Sequence, residues 1–333
     1  MHVYYFITPT ANSPGHNAGC SYITYGCKYL ISQVDPEFLF LDVPITEHSQ
    51  QEWDILLDQA DALIFAGNPR YNPSDTRSYW DYDIWNHIEA AQKKGILVAD
   101  LYGGSAYNLP FIPVADMVKD MLRYSRNQHT LSYQAKVDMI ITRDSPAQEI
   151  VKTVKPDSVL LHCSSFWAAS WLKVDRQPKK YNCVVLRYIQ NQPWVIEALY
   201  SIAQAMAQEK QTFFLCHAGY EYWWAKKHLP EIKNLICIFD PLSLLQFYAR
   251  CDKVVSMRLH GSIPALSLGC QVVNIATDSR CLAYDNFGFS SVPYTELKVL
   301  SGSLNFDKTP VKVSQSIQDF KALFNEKIFE RLQ

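Results

Sequence analysis

The stretch Cys251–Phe289, CDKVVSMRLHGSIPALSLGCQVVNIATDSRCLAYDNFGF, decides the fold. It holds two short apolar runs, Lys253–Ser256 and Gln271–Ala276, separated by the helix-compatible segment Leu259–Leu268. Two strands joined by a helix run parallel, so both runs end on the same rim of a sheet, where open α/β sheets bind ligands. Polar residues sit at those ends: Arg258 and His260 after the first run, Asp278 and Arg280 after the second. Ser256 is placed to cap the helix, which puts Arg258 and His260 in its first turn, at the positive end of its dipole. Arginine offers a rigid fork for carboxylate or phosphate, and histidine exchanges protons near neutral pH. The combination calls for an anionic substrate. Singly, each arginine also fits a surface ion pair and His260 a structural hydrogen bond; two strand ends meeting on one cationic rim favour a site.

The same alternation fills the rest of the chain. Apolar runs at His2–Thr8, Phe38–Val43, Ala62–Ala66, Ile96–Asp100, Val137–Thr142 and Val159–Cys163 alternate with helical stretches at Gly19–Gln33, Thr76–Lys93 and Pro146–Val154. A second series has strands at Cys183–Tyr188, Thr212–His217 and Leu235–Phe239, with helices at Trp194–Glu209 and Leu242–Ala249. This is the signature of parallel sheets built from βα units. Lys173–Lys180, charged and proline-bearing, reads as a linker. The expected organisation is an α/β protein of two similarly built domains, 1–172 and 181–310, facing across a cleft. The tail 311–333, with apolar residues at helical spacing, forms a helix packing across them.

The first half has a rim of its own. Arg143 comes after the run Val137–Thr142, with Ser145 as candidate cap and Pro146 suited to the first helical position; a local Arg143–Asp144 pair is the competing reading. Gly67 and the pair Gly103-Gly104 come after other runs, where glycine permits either close backbone approach to a ligand or a tight turn. Gly15, Asn17 and Gly19 form a loose turn before the first helix, without dinucleotide-binding spacing. His217, after Thr212–Cys216, is a further candidate for the cationic rim. The Trp223-Trp224 pair suits a sugar platform or a membrane contact, with buried packing the expectation.

Bulk properties narrow the class. A net charge of −2 over 333 residues leaves no electrostatic footprint for nucleic acid. No apolar run approaches the ~20 residues of a membrane span, and Met1–Thr8 reads as a strand rather than a signal peptide. The nine cysteines lack metal-ligand spacing, and several fall in apolar runs as small core residues, so a reduced, cytoplasmic protein with no metal is expected. Phosphate-loop, nucleophile-elbow and zinc-protease motifs do not occur.

At these residues the chain resembles the polysaccharide pyruvyl transferase family. The resemblance rests on SMRLHG at Ser256–Gly261, followed by Gly269, the run Val272–Ile275, Arg280 and Gly288, and on ITRDSPAQEIV at Ile141–Val151. It implies two Rossmann-like domains in a GT-B-like arrangement, and transfer of pyruvate from phosphoenolpyruvate to a sugar as a cyclic ketal. Phosphoenolpyruvate is then the co-substrate, with no cofactor or metal. Carried over by position, Arg143, His260 and Arg280 hold phosphoenolpyruvate with Arg258 nearby, and His260 is the candidate general acid/base. The family often has lysine where this chain has Arg280. Its N-x-G-D turn stands here as Asn17-Ala18-Gly19-Cys20, and its glycine-rich segment as Ala66-Gly67-Asn68, so Asn17, Gly67, Asn68, Gly103, Gly104 and His217 are candidates for the cleft and acceptor side. The acceptor is a free or lipid-linked sugar; the latter would bring the protein to the inner face of the membrane. The alternatives are a GT-B glycosyltransferase using a nucleotide sugar and a non-catalytic subunit that keeps the fold.

Overall fold

The computed structural model describes residues 1–8, 18–44, 49–76, 88–108, 112–189, 192–297, 304–307 and 313–333. The candidate Asn17 and residues 77–87 of the expected second helix lie outside them. The first half of the chain supplies strands β1 (His2–Thr8), β2 (Phe38–Pro44), β3 (Ala62–Ala66), β4 (Pro69–Tyr71), β5 (Leu97–Ser105), β6 (Met139–Thr142) and β7 (Val159–Leu160). They form a parallel sheet in the order β2-β1-β3-β5-β6-β7, with β4 paired to β5. The second half supplies β8 (Tyr181–Val185), β9 (Thr212–Cys216), β10 (Leu235–Cys237), β11 (Cys251–Ser256), β12 (Gln271–Ala276) and β13 (Val292–Pro293), ordered β10-β9-β8-β11-β12-β13.

Counted within its own half, the second sheet has the 3-2-1-4-5-6 order of doubly wound dinucleotide-binding folds, whose crevice opens where the order reverses. That point lies between β8 and β11, where Val185 pairs with Ser256. Arg187 and Arg258, each two residues past the end of its strand, are therefore delivered to one crevice. The first sheet reverses between β1 and β3.

Helices α1 (Ala18–Ser32), α2 (Gln50–Leu57), α3 (Ile88–Lys93), α4 (Val114–Met121), α5 (Ser125–Gln134) and α6 (Ser145–Val151) belong to the first half, and the short α7 (Ala168–Trp171) ends it. The second half has α8 (Pro193–Ala207), α9 (Gly219–His228), α10 (Pro241–Ala249), α11 (Leu259–Ser267) and α12 (Leu282–Asp285), and α13 (Ser314–Lys327) comes last. Central strands read as unbroken apolar runs because both faces are covered, as in β3, every residue of which is buried. Of the cysteines in such runs, Cys163, Cys183, Cys216 and Cys270 are buried, while Cys237 on the edge strand β10 is half-buried.

Two expected caps move by one or two residues. Asp144, not Ser145, caps α6, accepting from the amide of Ala147 at 3.1 Å. Arg258, not Ser256, is the N-cap of α11; the Ser256 hydroxyl instead donates to the Arg258 carbonyl at 2.8 Å and accepts from its amide at 3.1 Å. Gly103-Gly104 is no strand-end turn either: β5 runs through it to Ser105, with a register shift between Leu101 and Gly103 and Tyr102 at φ +61.

The halves share one core. Tyr22 and Ile23 of α1 and Trp167 pack in the same cluster as Tyr248, Leu259 and Ile263 of the second half. Hydrogen bonds stitch the seam: Ser105 Oγ to Ser279 Oγ at 2.7 Å, Ser279 N to the Tyr107 carbonyl at 2.8 Å, and Tyr22 Oη to the Pro241 carbonyl at 3.1 Å. The linker residues Gln177 and Lys180 donate backbone hydrogen bonds to Ala249 and Arg250. Helix α13 returns to the first half, where Phe320 stacks on Tyr102 at 6.4 Å and Phe324 meets Tyr4 at 6.0 Å. Phe320 is fully buried, so Phe320→Ala should cost about 3–5 kcal/mol. The check is a lower urea midpoint with an unchanged slope; a change under ~1 kcal/mol would mean that α13 does not anchor the tail.

Candidate active site

A cavity of about 190 Å³ lies at the crevice of the second sheet, with the first half forming its other wall. Arg187, His217, Met257, Arg258, His260, Thr277, Asp278 and Arg280 line it from below; Cys20, Ile23, Asn68, Pro69 and Arg143 line it from above. The sequence candidates Arg143, Arg258, His260, Arg280, His217 and Asn68 therefore converge. Gly67, Gly103 and Gly104 do not line it, and each has a local packing role. Gly67 turns the chain after β3 at φ +71, and Gly103 leaves room for the stem of Arg70.

Gly104 serves the site indirectly. A Cβ there would sit 2.5 Å from Arg143 Nε and 2.5 Å from Asp144 Oδ2, so the guanidinium lies directly on the bare backbone of β5. Arg143 is 1% exposed. Asp144 Oδ2 is 3.9 Å from its Nε, beyond hydrogen-bond reach. That carboxylate already accepts from Ser105 N and Oγ and from Ala147 N. Among the described residues nothing accepts from Arg143 Nε or Nη1. The Arg143 carbonyl accepts from Asn286 Nδ2 at 2.8 Å across the seam, so both halves hold the residue in place.

The other arginines are balanced differently. Asp278 takes a forked pair from Arg280, with Nε to Oδ1 at 2.8 Å and Nη2 to Oδ2 at 2.5 Å, and a bond from Arg187 Nη1 at 2.5 Å. Burial would raise the Asp278 carboxyl, but the two guanidiniums hold it well below the usual carboxylate range. Arg258 pairs with the buried Glu221, whose second oxygen has no partner among the described residues. Arg258 and Arg280 do form ion pairs, then, but drawn into the cavity wall rather than left on the surface. Four guanidiniums (Arg143, Arg187, Arg258, Arg280) face three carboxylates (Asp144, Glu221, Asp278), and the excess is cationic. Arg187 escaped the reading of the sequence, which placed it inside the expected strand Cys183–Tyr188; β8 ends at Val185 and leaves it two residues beyond, as with Arg258 after β11.

His260 is not a hydrogen-bonded structural histidine. Its Nε2 is buried with no partner among the described residues. Burial, and then Arg143, Arg280, His217 and Arg258, hold its pKa well below the usual 6.5. His217 bonds the Tyr248 hydroxyl through Nε2 at 2.8 Å, and burial followed by Arg258 also pushes its pKa far down. Gly261 after His260 has its own reason: a Cβ there would meet Ser256 Oγ at 2.4 Å, so α11 starts pressed onto β11. With Asn68 Nδ2, also buried and unpartnered, the cavity concentrates donors that lack acceptors. No cluster of three or more His, Cys, Asp or Glu suited to a metal occurs among the described residues, nor does a helix long and apolar enough to cross a membrane.

The family model for polysaccharide pyruvyl transferase matches residues 17–279. The chain belongs to that family. Pyruvyl transfer in polysaccharide synthesis, with a sugar acceptor, is what the family supports for this pyruvyl transferase. No curated protein sequence matches the chain. Among solved structures, the S. aureus MnaA–UDP complex is similar to it at TM-score 0.56 and 10% identity, covering 91% of this chain and 89% of that one. A putative UDP-N-acetylglucosamine 2-epimerase from Listeria monocytogenes gives 0.57 and 11%, covering 98% and 97%. The UDP-GlcNAc 2-epimerase of Methanocaldococcus jannaschii with UDP-GlcNAc and UDP gives 0.54 and 8%, covering 98% and 100%. At such identity the likeness shows the fold alone, two Rossmann-like domains in the GT-B arrangement.

The depressed histidine pKa values have a signed consequence. Above pH ~6.5 His260 and His217 are neutral in both the folded and unfolded chain and contribute no pH dependence. Below it the unfolded chain takes up protons that the folded one refuses, so stability falls as pH falls. His260→Gln should make the decline between about pH 7 and pH 5.5 shallower, measured by urea unfolding. An unchanged slope would show that His260 titrates normally in the folded protein.

Proposed function

We propose that this chain transfers pyruvate from phosphoenolpyruvate to two hydroxyls of a sugar as a cyclic ketal, releasing phosphate. The observation that carries the proposal is the pair of buried donors, Arg143 and His260, aimed at one small cavity with nothing among the described residues to accept from them. Asp144 lies close enough to offset the charge of Arg143 but not to accept its hydrogen bonds; buried donors left unmet are costly, and an anion is the group that relieves them. Phosphoenolpyruvate carries two anionic groups, and the cavity is small for a nucleotide sugar.

In the reaction a proton reaches the methylene carbon of phosphoenolpyruvate, leaving its C2 oxocarbenium-like. One sugar hydroxyl adds to C2, the bond from C2 to the phosphate oxygen breaks, and the second hydroxyl closes the ring. Of the two protons lost by the hydroxyls, one balances the new methyl group and the other leaves with phosphate. Arg143 takes the anion's otherwise unmet oxygens, while Arg280, Arg258 and Arg187 stabilise the charge that grows on the departing phosphate. His260 is the proton donor. Burial and neighbouring cations hold its pKa well below the ordinary value; a bound polyanion offsets the cationic part of that effect and raises the pKa, so the donor is charged by its own substrate.

Two variants test these roles by phosphate release from phosphoenolpyruvate with sugar acceptors. His260→Gln should lower kcat by roughly 10²–10⁴-fold with donor affinity nearly intact. It should also abolish proton uptake on donor binding, read by calorimetry in buffers of different ionisation enthalpy. Arg143→Ala should weaken donor binding by at least about 30-fold. Near-normal turnover in His260→Gln would overturn its role. The glycosyltransferase alternative, prompted by the UDP named in two of the structural neighbours, requires a thermal shift with UDP and none with phosphoenolpyruvate.

A further inference from the structure

Helix α9 begins two residues after His217 and turns two large rings outward. Tyr220 is 63% exposed and Trp223 72% exposed, and Phe239, two residues past β10, is 59% exposed. The expectation of a buried tryptophan pair fails for Trp223 and is met only in part by Trp224, which is half-buried with its ring packed on Tyr188 and His228, each at 5.2 Å. Tyr220 and Trp223 are three residues apart on one helix and so share a face. Phe239 joins them at the helix start, since a Cβ on Gly219 would lie 3.8 Å from its ring. Exposed large apolar rings gathered in one place mark a binding surface.

The patch starts where the cavity ends. Tyr220 Oη lies 3.4 Å from Nη2 of Arg258, a cavity-lining residue. We infer that Tyr220, Trp223 and Phe239 form the subsite for the acceptor saccharide, a pyranose stacking on the rings beside the donor cavity. This inference rests on the pyruvyl-transfer reading. The negative π-face of an aromatic ring attracts the polarised C–H bonds of a sugar's flat side, and rigid rings give contact area at low entropic cost. The stacked sugar leaves its edge hydroxyls free to reach C2 of the donor. A lipid surface fits less well: Lys226 and Lys227 would suit it, but the exposed Asp240 stands beside Phe239, where anionic headgroups would be repelled. The acceptor is thereby assigned to the second half of the chain, whereas the glycines of the first half that were candidates for it stay outside the cavity.

The test uses the intact protein, the methyl glycosides of glucose, galactose, N-acetylglucosamine and N-acetylgalactosamine with their common disaccharides, and vesicles of mixed phosphatidylcholine and phosphatidylglycerol. At least one saccharide should change the tryptophan fluorescence of the wild type and not of Trp223→Phe, with phosphoenolpyruvate absent. Trp223→Ala and Tyr220→Ala should weaken that saccharide's binding about tenfold, and Trp223→Ala should leave phosphoenolpyruvate binding unchanged. Both surface variants should keep the wild-type unfolding midpoint. Equal saccharide binding in the wild type and the Ala variants, a response to vesicles alone, or no saccharide response overturns the inference. Because saccharide binding is read without the donor, failure of the donor chemistry with binding intact would indict the pyruvyl-transfer reading and spare the subsite.

Discussion

A buried guanidinium whose Nε and Nη1 find no acceptor among the described residues is the constraint around which this protein is arranged. Arg143 lies on the bare backbone of Gly104, reached because β5 bulges at Tyr102 and extends past the point where its apolar run weakens. The nearest carboxylate, Asp144, is committed to capping α6 and to Ser105. Asn286 of the second half fixes the Arg143 carbonyl. A buried charge left in this state is destabilising, and the surrounding structure tolerates it because a shared core and the Ser105–Ser279 contact hold the two halves together.

The remaining cations are tuned rather than bare. Asp278 locks Arg280 and Arg187 into fixed orientations at the end of β12, and Glu221 does the same for Arg258. Each pairing lowers the net charge of the cavity, yet burial and the remaining positive field hold the pKa of His260 well below its ordinary value. On the proposed mechanism, ligand charge and histidine charge are linked, and anion binding loads the proton.

Much of this was legible in the residues. The order of strands and helices came from apolar period, and the second-half rim from arginine and histidine placed just beyond apolar runs. The strand limits of β1, β3 and β12 match the runs that announced them. Arg187 went unnoticed because the expected strand Cys183–Tyr188 ran through it; β8 ends at Val185, which leaves Arg187 in the crevice, bonded to Asp278. The caps at Asp144 and Arg258 each lie within two residues of the serine expected to hold them, a shift that backbone geometry decides and composition does not. Trp223 and Trp224 are adjacent and identical in type, yet one is exposed and one is packed, because neighbours on a helix point about 100° apart.

By itself the sequence determined the local grammar: parallel βα units, two halves, and cationic side chains delivered to strand ends. Hydrophobic period and turn chemistry act over a few residues, so they can be read along a line. Only the tertiary structure decided which of these cations have their hydrogen bonds met and which do not. Arg143, Arg258 and Arg280 look equivalent as letters, but two of them find carboxylates that accept their hydrogen bonds and one finds none. Compensation of a buried charge depends on distances between segments brought together by folding, and those exist only once the two sheets have closed on each other.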